Sequence, residues 1–375
     1  MESTDILVAV RRTSAVELLW DLVFVFAVTQ ISTLLTGDLT WAGFGRALLV
    51  MALMWWAWSG FVWTANADDP DSGSVRAVLL LATVLIFITA LALPHAYAGG
   101  SVLFAVSYTA VRLLHLGLYM DVWRRGLASF RAIAGFAVTV IVGMALLVAG
   151  SIAGGTWLVA LWAIAAAIDY AGPGLLTRKR LVALQQVAVE HFAERNSLFI
   201  IICLGESVVA IGVGASTRGL ETTVTAGAAL MLLITIALWW TYFDRLAAVA
   251  EDRLRANARP VLAGSDAYSY LHLILVAGII VFAAGARLAV GRIDQPLSPA
   301  ESLALGGGIA IYLFGVVAFR LRLTRHFGAG TAIAGAAAAL IGVLGTNVAT
   351  WIEAVLLLVA LAGMQVWERR TLSTS

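Results

Sequence analysis

Long apolar runs, each ended by a short cluster of charged, glycine or proline residues, recur along the whole chain. A bilayer core about 30 Å thick is crossed by a helix of about 20 predominantly apolar residues, so runs of that length predict membrane spans. Twelve occur, at approximately 16–36, 41–64, 75–95, 99–121, 129–150, 154–171, 197–216, 224–244, 266–290, 299–321, 328–346 and 349–367. The expected fold is an all-α, polytopic transmembrane helix bundle of about 12 spans. The first fifteen residues carry Glu2, Asp5, Arg11 and Arg12, and the first run holds Glu17 and Asp21 with no small-residue cleavage site after it. That pattern marks a retained helix and not a signal peptide.

Composition strengthens this picture. Of 375 residues, 61% are apolar and 12% charged, against roughly half and about a quarter in soluble domains. An ordinary soluble protein is excluded, and a mean hydropathy of +0.95 excludes a disordered chain. The net charge of +2 says little, but its distribution says more. With the N-terminus in the cytoplasm, strict alternation puts 19 of the 24 Lys and Arg on that side. Arg46, Arg218, Arg287 and Arg292 fall opposite, and Arg112 lies within a span. Such a bias predicts an even number of spans with both termini cytoplasmic. The single cysteine, Cys203, lies in an apolar run, so neither a disulfide framework nor a thiolate metal cluster is expected.

The segment 172–196 divides the spans into halves, 1–171 and 197–375. Glu17 with Leu22, Val23 and Phe24 lines up with Glu194, Phe199, Ile200 and Ile201, and Trp55-Trp56 lines up with Trp239-Trp240. Six spans per half predict a parallel internal repeat about the membrane normal, with any central site between the halves.

An ionisable side chain at bilayer depth costs a few kcal/mol on insertion scales and demands a partner or a role. Glu17 and Asp21, four apart, share a helix face, with Gln30 deeper in the same span. Glu206 lies about 13 Å past Ser197 at 1.5 Å per residue, near mid-membrane. Arg112, with His115 three residues on, is its expected counter-ion. Two readings stay open for the pair: a helix lock, or a site where Glu206 or Asp21 exchanges protons or binds a cationic group. Trp55 and Trp56, with Trp239 and Trp240, either pack the core or line a cavity for an apolar or cationic ligand.

A cytoplasmic polar cluster is expected from Asn66, Asp68 and Asp69, with Glu194, Arg195 and Asp244. Asp68 and Asp69 faintly resemble the aspartate-rich motifs in which Mg²⁺ bridges carboxylates to a diphosphate, although a solvated, helix-capping loop explains them as well. No Walker loop, His-Glu-x-x-His zinc spacing or Gly-x-Ser-x-Gly is present, so no resident cofactor is expected and ATP drive or hydrolysis has no local support. Gly328, Gly330, Gly335 and Gly342 mark the eleventh span as a close-packing helix. Glu353 and Asn347 are expected to reach water at the outer end of the bundle.

The stretch Val16-Glu17-Leu18-Leu19-Trp20-Asp21-Leu22-Val23-Phe24-Val25-Phe26-Ala27-Val28-Thr29-Gln30 resembles the opening motif of the bacterial low temperature requirement A family. Trp55-Trp56-Ala57-Trp58, the Asn66 to Asp69 segment, Glu194-Arg195-Asn196-Ser197-Leu198-Phe199, Leu204-Gly205-Glu206-Ser207-Val208-Val209-Ala210-Ile211-Gly212 and Trp239-Trp240-Thr241-Tyr242-Phe243-Asp244 resemble its other blocks, in order. Trp20 departs from the phenylalanine expected before the aspartate, and the likeness thins after about residue 250. The resemblance implies a polytopic inner-membrane protein, and its motifs fall on Glu17, Asp21, Asn66, Glu194, Arg195, Glu206 and Asp244.

The leading expectation is a secondary-type, proton-linked transporter of a small solute, in which Asp21, Glu206 and Arg112 share one site. Its rivals are an intramembrane enzyme acting on an isoprenoid or lipid diphosphate, and a structural or signalling membrane protein. The partners implied are the lipid bilayer and a small or lipid-like ligand; no nucleic acid is implied.

Overall fold

The computed structural model describes residues 13–67, 73–125, 130–176, 178, 187–217 and 221–372. Among the described residues no strand forms, and twelve helices are long and apolar enough to cross a membrane. They are α1 (Ala15–Gly37), α2 (Trp41–Asn66), α3 (Gly73–His95), α4 (Ser101–Asp121), α5 (Ile133–Ala153) and α6 (Gly155–Leu175) in the first half. The second half contains α7 (Val189–Ser216), α8 (Thr222–Arg255), α9 (Pro260–Val290), α10 (Pro299–Thr324), α11 (Ala329–Asn347) and α12 (Thr350–Arg370).

Local chemistry sets several of the ends. Ser14 and Glu17 form a reciprocal capping box at the start of α1, and Ser298 and Glu301 repeat it on α10, where Pro299 supplies a preset first turn. Gly154 takes φ +67° between α5 and α6, a backbone conformation that side chains rarely adopt, and so permits an abrupt reversal. Three elements exceed their sequence bounds by more than five residues, α9 by starting at Pro260 instead of 266. α7 begins at Val189 instead of 197, because its polar first turns carry His191 and Arg195 into the protein interior. α8 passes a break at Asp244 and Arg245 and resumes as Leu246–Arg255. α9 contains a π-helical stretch, Ser265–Leu271.

The central helices are α2 and α9, each burying 78% of its most apolar segment. α9 and α10 approach at backbone distance: a Cβ on Gly278 would lie 2.3 Å from the Tyr312 nitrogen, and one on Gly308 2.3 Å from that of Phe282. The expected close packing of α11 is present too, Gly342 lying against Gly306 of α10.

α1 and α7 run side by side in the same direction. Their contacts advance together along both chains, from Thr13–Glu194 through Glu17–Arg195 and Phe24–Phe199 to Thr29–Glu206. This pair carries most of the buried acids singled out in the sequence.

Candidate functional site

At the end of α1 near the chain's start, two carboxylates converge on one guanidinium. Arg195 of α7 donates from Nη1 to Glu17 Oε1 at 2.7 Å, from Nη2 to Asp21 Oδ1 at 2.6 Å and from Nε to Asp21 Oδ2 at 3.2 Å. The indole of Trp58 on α2 donates to Asp21 Oδ1 at 2.8 Å. His191 Nε2 lies 3.2 Å from Glu17 Oε2, which also accepts the Ser14 backbone N–H, and His191 Nδ1 lies 3.4 Å from Asn66 Oδ1. Glu17, Asp21, His191 and Arg195 are each no more than 2% exposed. All four carboxylate oxygens have donors, so the cluster binds α1, α2 and α7 into one unit with its charges opposed.

Sequence reasoning found both acids and Arg195 but missed His191. The signal was available: His191 and Arg195 are four apart on α7, as Glu17 and Asp21 are on α1, so each pair shares one helix face.

Glu206 has a different environment. It is 2% exposed, and its Oε2 lies 2.5 Å from the Thr29 hydroxyl of α1. Among the described residues it has no ion pair; Arg287 of α9 is the cation whose field reaches it. Thr29 Oγ1 also lies 3.1 Å from the Val25 carbonyl. A hydroxyl has one proton. If that proton goes to Val25 O, a protonated Glu206 donates to Thr29; if it goes to Glu206, the carboxyl can be ionised. Two further buried hydroxyls stand close by, Ser32 beside the carboxyl and Ser207 next in sequence. Eight residues separate Asp21 from Thr29 and eleven separate Arg195 from Glu206, or about 12 and 16 Å of helix. The acid is well removed from the Arg195 cluster.

Arg112 does not pair with Glu206. Its Nη2 donates to Asp169 Oδ1 of α6 at 2.7 Å, both side chains being 1% exposed, and Nη1 lies 3.2 Å from His115 Nδ1. His115 Nε2 in turn lies 3.0 Å from the Thr64 hydroxyl of α2. The expected convergence of Asp21, Arg112 and Glu206 is therefore replaced by three separate arrangements. Helical rise gave the depth of each residue, but not which neighbour it faced.

The bacterial low temperature requirement A protein (LtrA) family matches residues 12–366. The chain belongs to this family. A relative in Rhizobium meliloti (strain 1021), described as an uncharacterized protein, is 31% identical over 315 residues, which cover 82% of this chain and 76% of the relative. No solved structure matches. Family membership and twelve long apolar helices together make this a multi-pass membrane protein.

The other motif blocks of this low temperature requirement A chain divide between interior and surface. Trp55, Trp56 and Trp58 are buried. Trp55 Nε1 donates to the Ser269 carbonyl at 2.7 Å and Trp63 Nε1 to the Ser269 hydroxyl at 2.8 Å, tying α2 to the π-helical stretch of α9. Trp56 stacks on Tyr170 with centroids 4.0 Å apart. Trp239 and Trp240 instead face outward, about two-fifths exposed, so they do not line the interior with the first pair. Glu194 is exposed and accepts from Thr13 at 3.1 Å. Asp244, also exposed, lies 3.7 Å from both Arg245 and Arg369. Gln30 is half-buried beside Thr29. Asp68 and Asp69 lie outside the described residues, and among those described no three His, Cys, Asp or Glu side chains gather as metal ligands would.

One further acid, Asp266, escaped the sequence reading, and Glu353 departs from it. Asp266 accepts both Arg178, at 2.6 and 2.8 Å, and Arg322, at 3.0 and 2.7 Å. These bonds push the Arg178 guanidinium further above its already high range. Glu353, expected to reach water, is fully buried; it accepts from Ser302 at 2.9 Å and stands against Gly345. Asn347 is exposed, as expected.

Proposed function

We propose that this chain is a secondary-type, proton-linked transporter of a small solute, lying in the bacterial inner membrane with both termini cytoplasmic, and that Glu206 exchanges the proton. The observation that carries this reading is the solitary placement of Glu206: a buried acid midway along α7, at the contact with α1, bonded to one hydroxyl and to no cation among the described residues. A buried carboxyl without a counter-charge can take up or release a proton without breaking an ion pair, as water or a cation gains or loses access to it. A group with that property couples proton movement to a change of access.

The reading includes a parallel six-plus-six repeat, supported by three sets of neighbours. α1 packs on α2 and α3, α3 on α4, α4 on α5, α5 on α6 and α2 on α6; in the same order α7 packs on α8 and α9, α9 on α10, α10 on α11, α11 on α12 and α8 on α12. The Tyr108 hydroxyl of α4 donates to the Leu53 carbonyl of α2, and the Tyr312 hydroxyl of α10 to the Leu238 carbonyl of α8. Aligning Glu17 with Glu194 also places Thr29 in register with Glu206, the very pair in contact. Register-equivalent positions of a parallel repeat meet only at its axis, so Glu206 occupies the seam between the halves.

The test uses purified protein in liposomes loaded with a pH-sensitive dye, challenged with a panel of small cationic and zwitterionic solutes. Wild type should show solute-elicited proton movement, and Glu206→Gln should lose it while eluting as the same folded species in detergent. Equal proton movement in that variant would remove Glu206 from the mechanism.

A further inference from the structure

The outward face of α8 and α12 encloses a groove of about 350 Å³. Its walls are apolar along most of their length, with Leu233, Ala237 and Leu358 among them, and its polar groups gather at one end, where Gln365, Arg369 and Trp240 meet. Arg369 lies over the Trp240 ring, 5.2 Å from its centroid, and Gln365 is held by a 2.9 Å bond to the Thr241 hydroxyl. Asp244 there stands 3.7 Å from both Arg245 and Arg369, so two guanidinium groups share this one carboxylate and their positive charge exceeds it.

The matching place in the first half is closed. There α2 and α6 are filled by Trp56 stacked on Tyr170, with Tyr270 of α9 against both, and the Tyr170 hydroxyl donates to the Ala52 carbonyl. Small residues such as Ala362 stand on α12 instead, leaving the cleft open toward the surrounding lipid.

We propose that this groove is a binding site for an anionic phospholipid, with one acyl chain along Leu233, Ala237 and Leu358 and the headgroup phosphate at Arg369 and Gln365. The chemistry selects this occupant. An apolar channel open to the bilayer fits an acyl chain, and a guanidinium half exposed at the polar end, braced on an indole, fits a phosphate that carries net charge. A zwitterionic lipid would offer its phosphate beside an ammonium, which the excess of arginine disfavours.

The experiment is native mass spectrometry of the delipidated full chain, incubated with mixed micelles containing phosphatidylglycerol or phosphatidylcholine. Wild type should retain phosphatidylglycerol about five-fold more strongly, the size of one basic side chain's attraction at an anionic surface. Arg369→Gln, at an exposed position that leaves folding intact, should bring retention down to the phosphatidylcholine level. Ala362→Leu, which narrows the groove, should lower retention of both lipids. Equal retention of the two lipids by wild type, or a phosphatidylglycerol preference that survives Arg369→Gln, would overturn the assignment. The site is independent of Glu206, so its failure leaves the transport reading standing.

Discussion

Two groups of buried acid lie on the same pair of helices, about 12 to 16 Å apart along them, and their surroundings could hardly differ more. Glu17 and Asp21 are matched by Arg195 and supported by Trp58, His191 and the Ser14 backbone. Glu206 has the Thr29 hydroxyl. The fully hydrogen-bonded cluster is costly to disturb, so it suits a fixed joint between α1 and α7. The uncompensated acid can change protonation without breaking an ion pair, which suits a moving part. Burial alone does not mark a functional acid; the number of donors it already satisfies does.

That contrast is tested most severely at Arg195. Arg195→Met leaves two carboxylates in the interior without their cation and should cost about 3–5 kcal/mol, read as a lower melting temperature in detergent and a loss of folded yield. A stable variant would mean that the cluster is not a lock. The Arg112–Asp169 pair offers the same test in a second place. Arg112→Met alone should cost about 3 kcal/mol, whereas Arg112→Met combined with Asp169→Leu should recover most of it, since removing both charges leaves none unpaired. No recovery on thermal unfolding would show that the pair does more than compensate itself.

Smaller effects separate the two regions further. Trp58→Phe removes one donor to Asp21 and should cost about 1 kcal/mol with no change in solute-elicited proton movement. A transport defect without a stability loss would extend the functional site to the Arg195 cluster. Glu206→Gln should shift stability least, by under about 1 kcal/mol, because Gln keeps a hydrogen bond to Thr29 and adds no unpaired charge. A large loss of stability would make Glu206 another structural acid.

The twelve spans were legible because lipid imposes a length and a polarity on every crossing helix. The start of α7 was not. His191 and Arg195 read as a polar linker until α1 is seen to supply Glu17 and Asp21 against them. Pairing was the least legible property: Arg112 and Glu206 were both visible as costly residues, yet Asp169, a lone acid near the end of an alanine-rich span, is the true partner of Arg112. Hydropathy gives depth, and helical period gives the face a residue shares with its neighbours in sequence. Neither says which helix that face meets. For the same reason, two tryptophan pairs matched in sequence separated into a buried one and a lipid-facing one.

The protonation state of Glu206 can be followed directly by infrared difference spectroscopy of the purified protein across a pH titration, in wild type, Glu206→Gln and Asp21→Asn. The account predicts that one protonated-carboxyl component, titrating in wild type and in Asp21→Asn, is missing from Glu206→Gln, in which the component of buried Glu353 remains. Persistence of every titrating component in Glu206→Gln would contradict it.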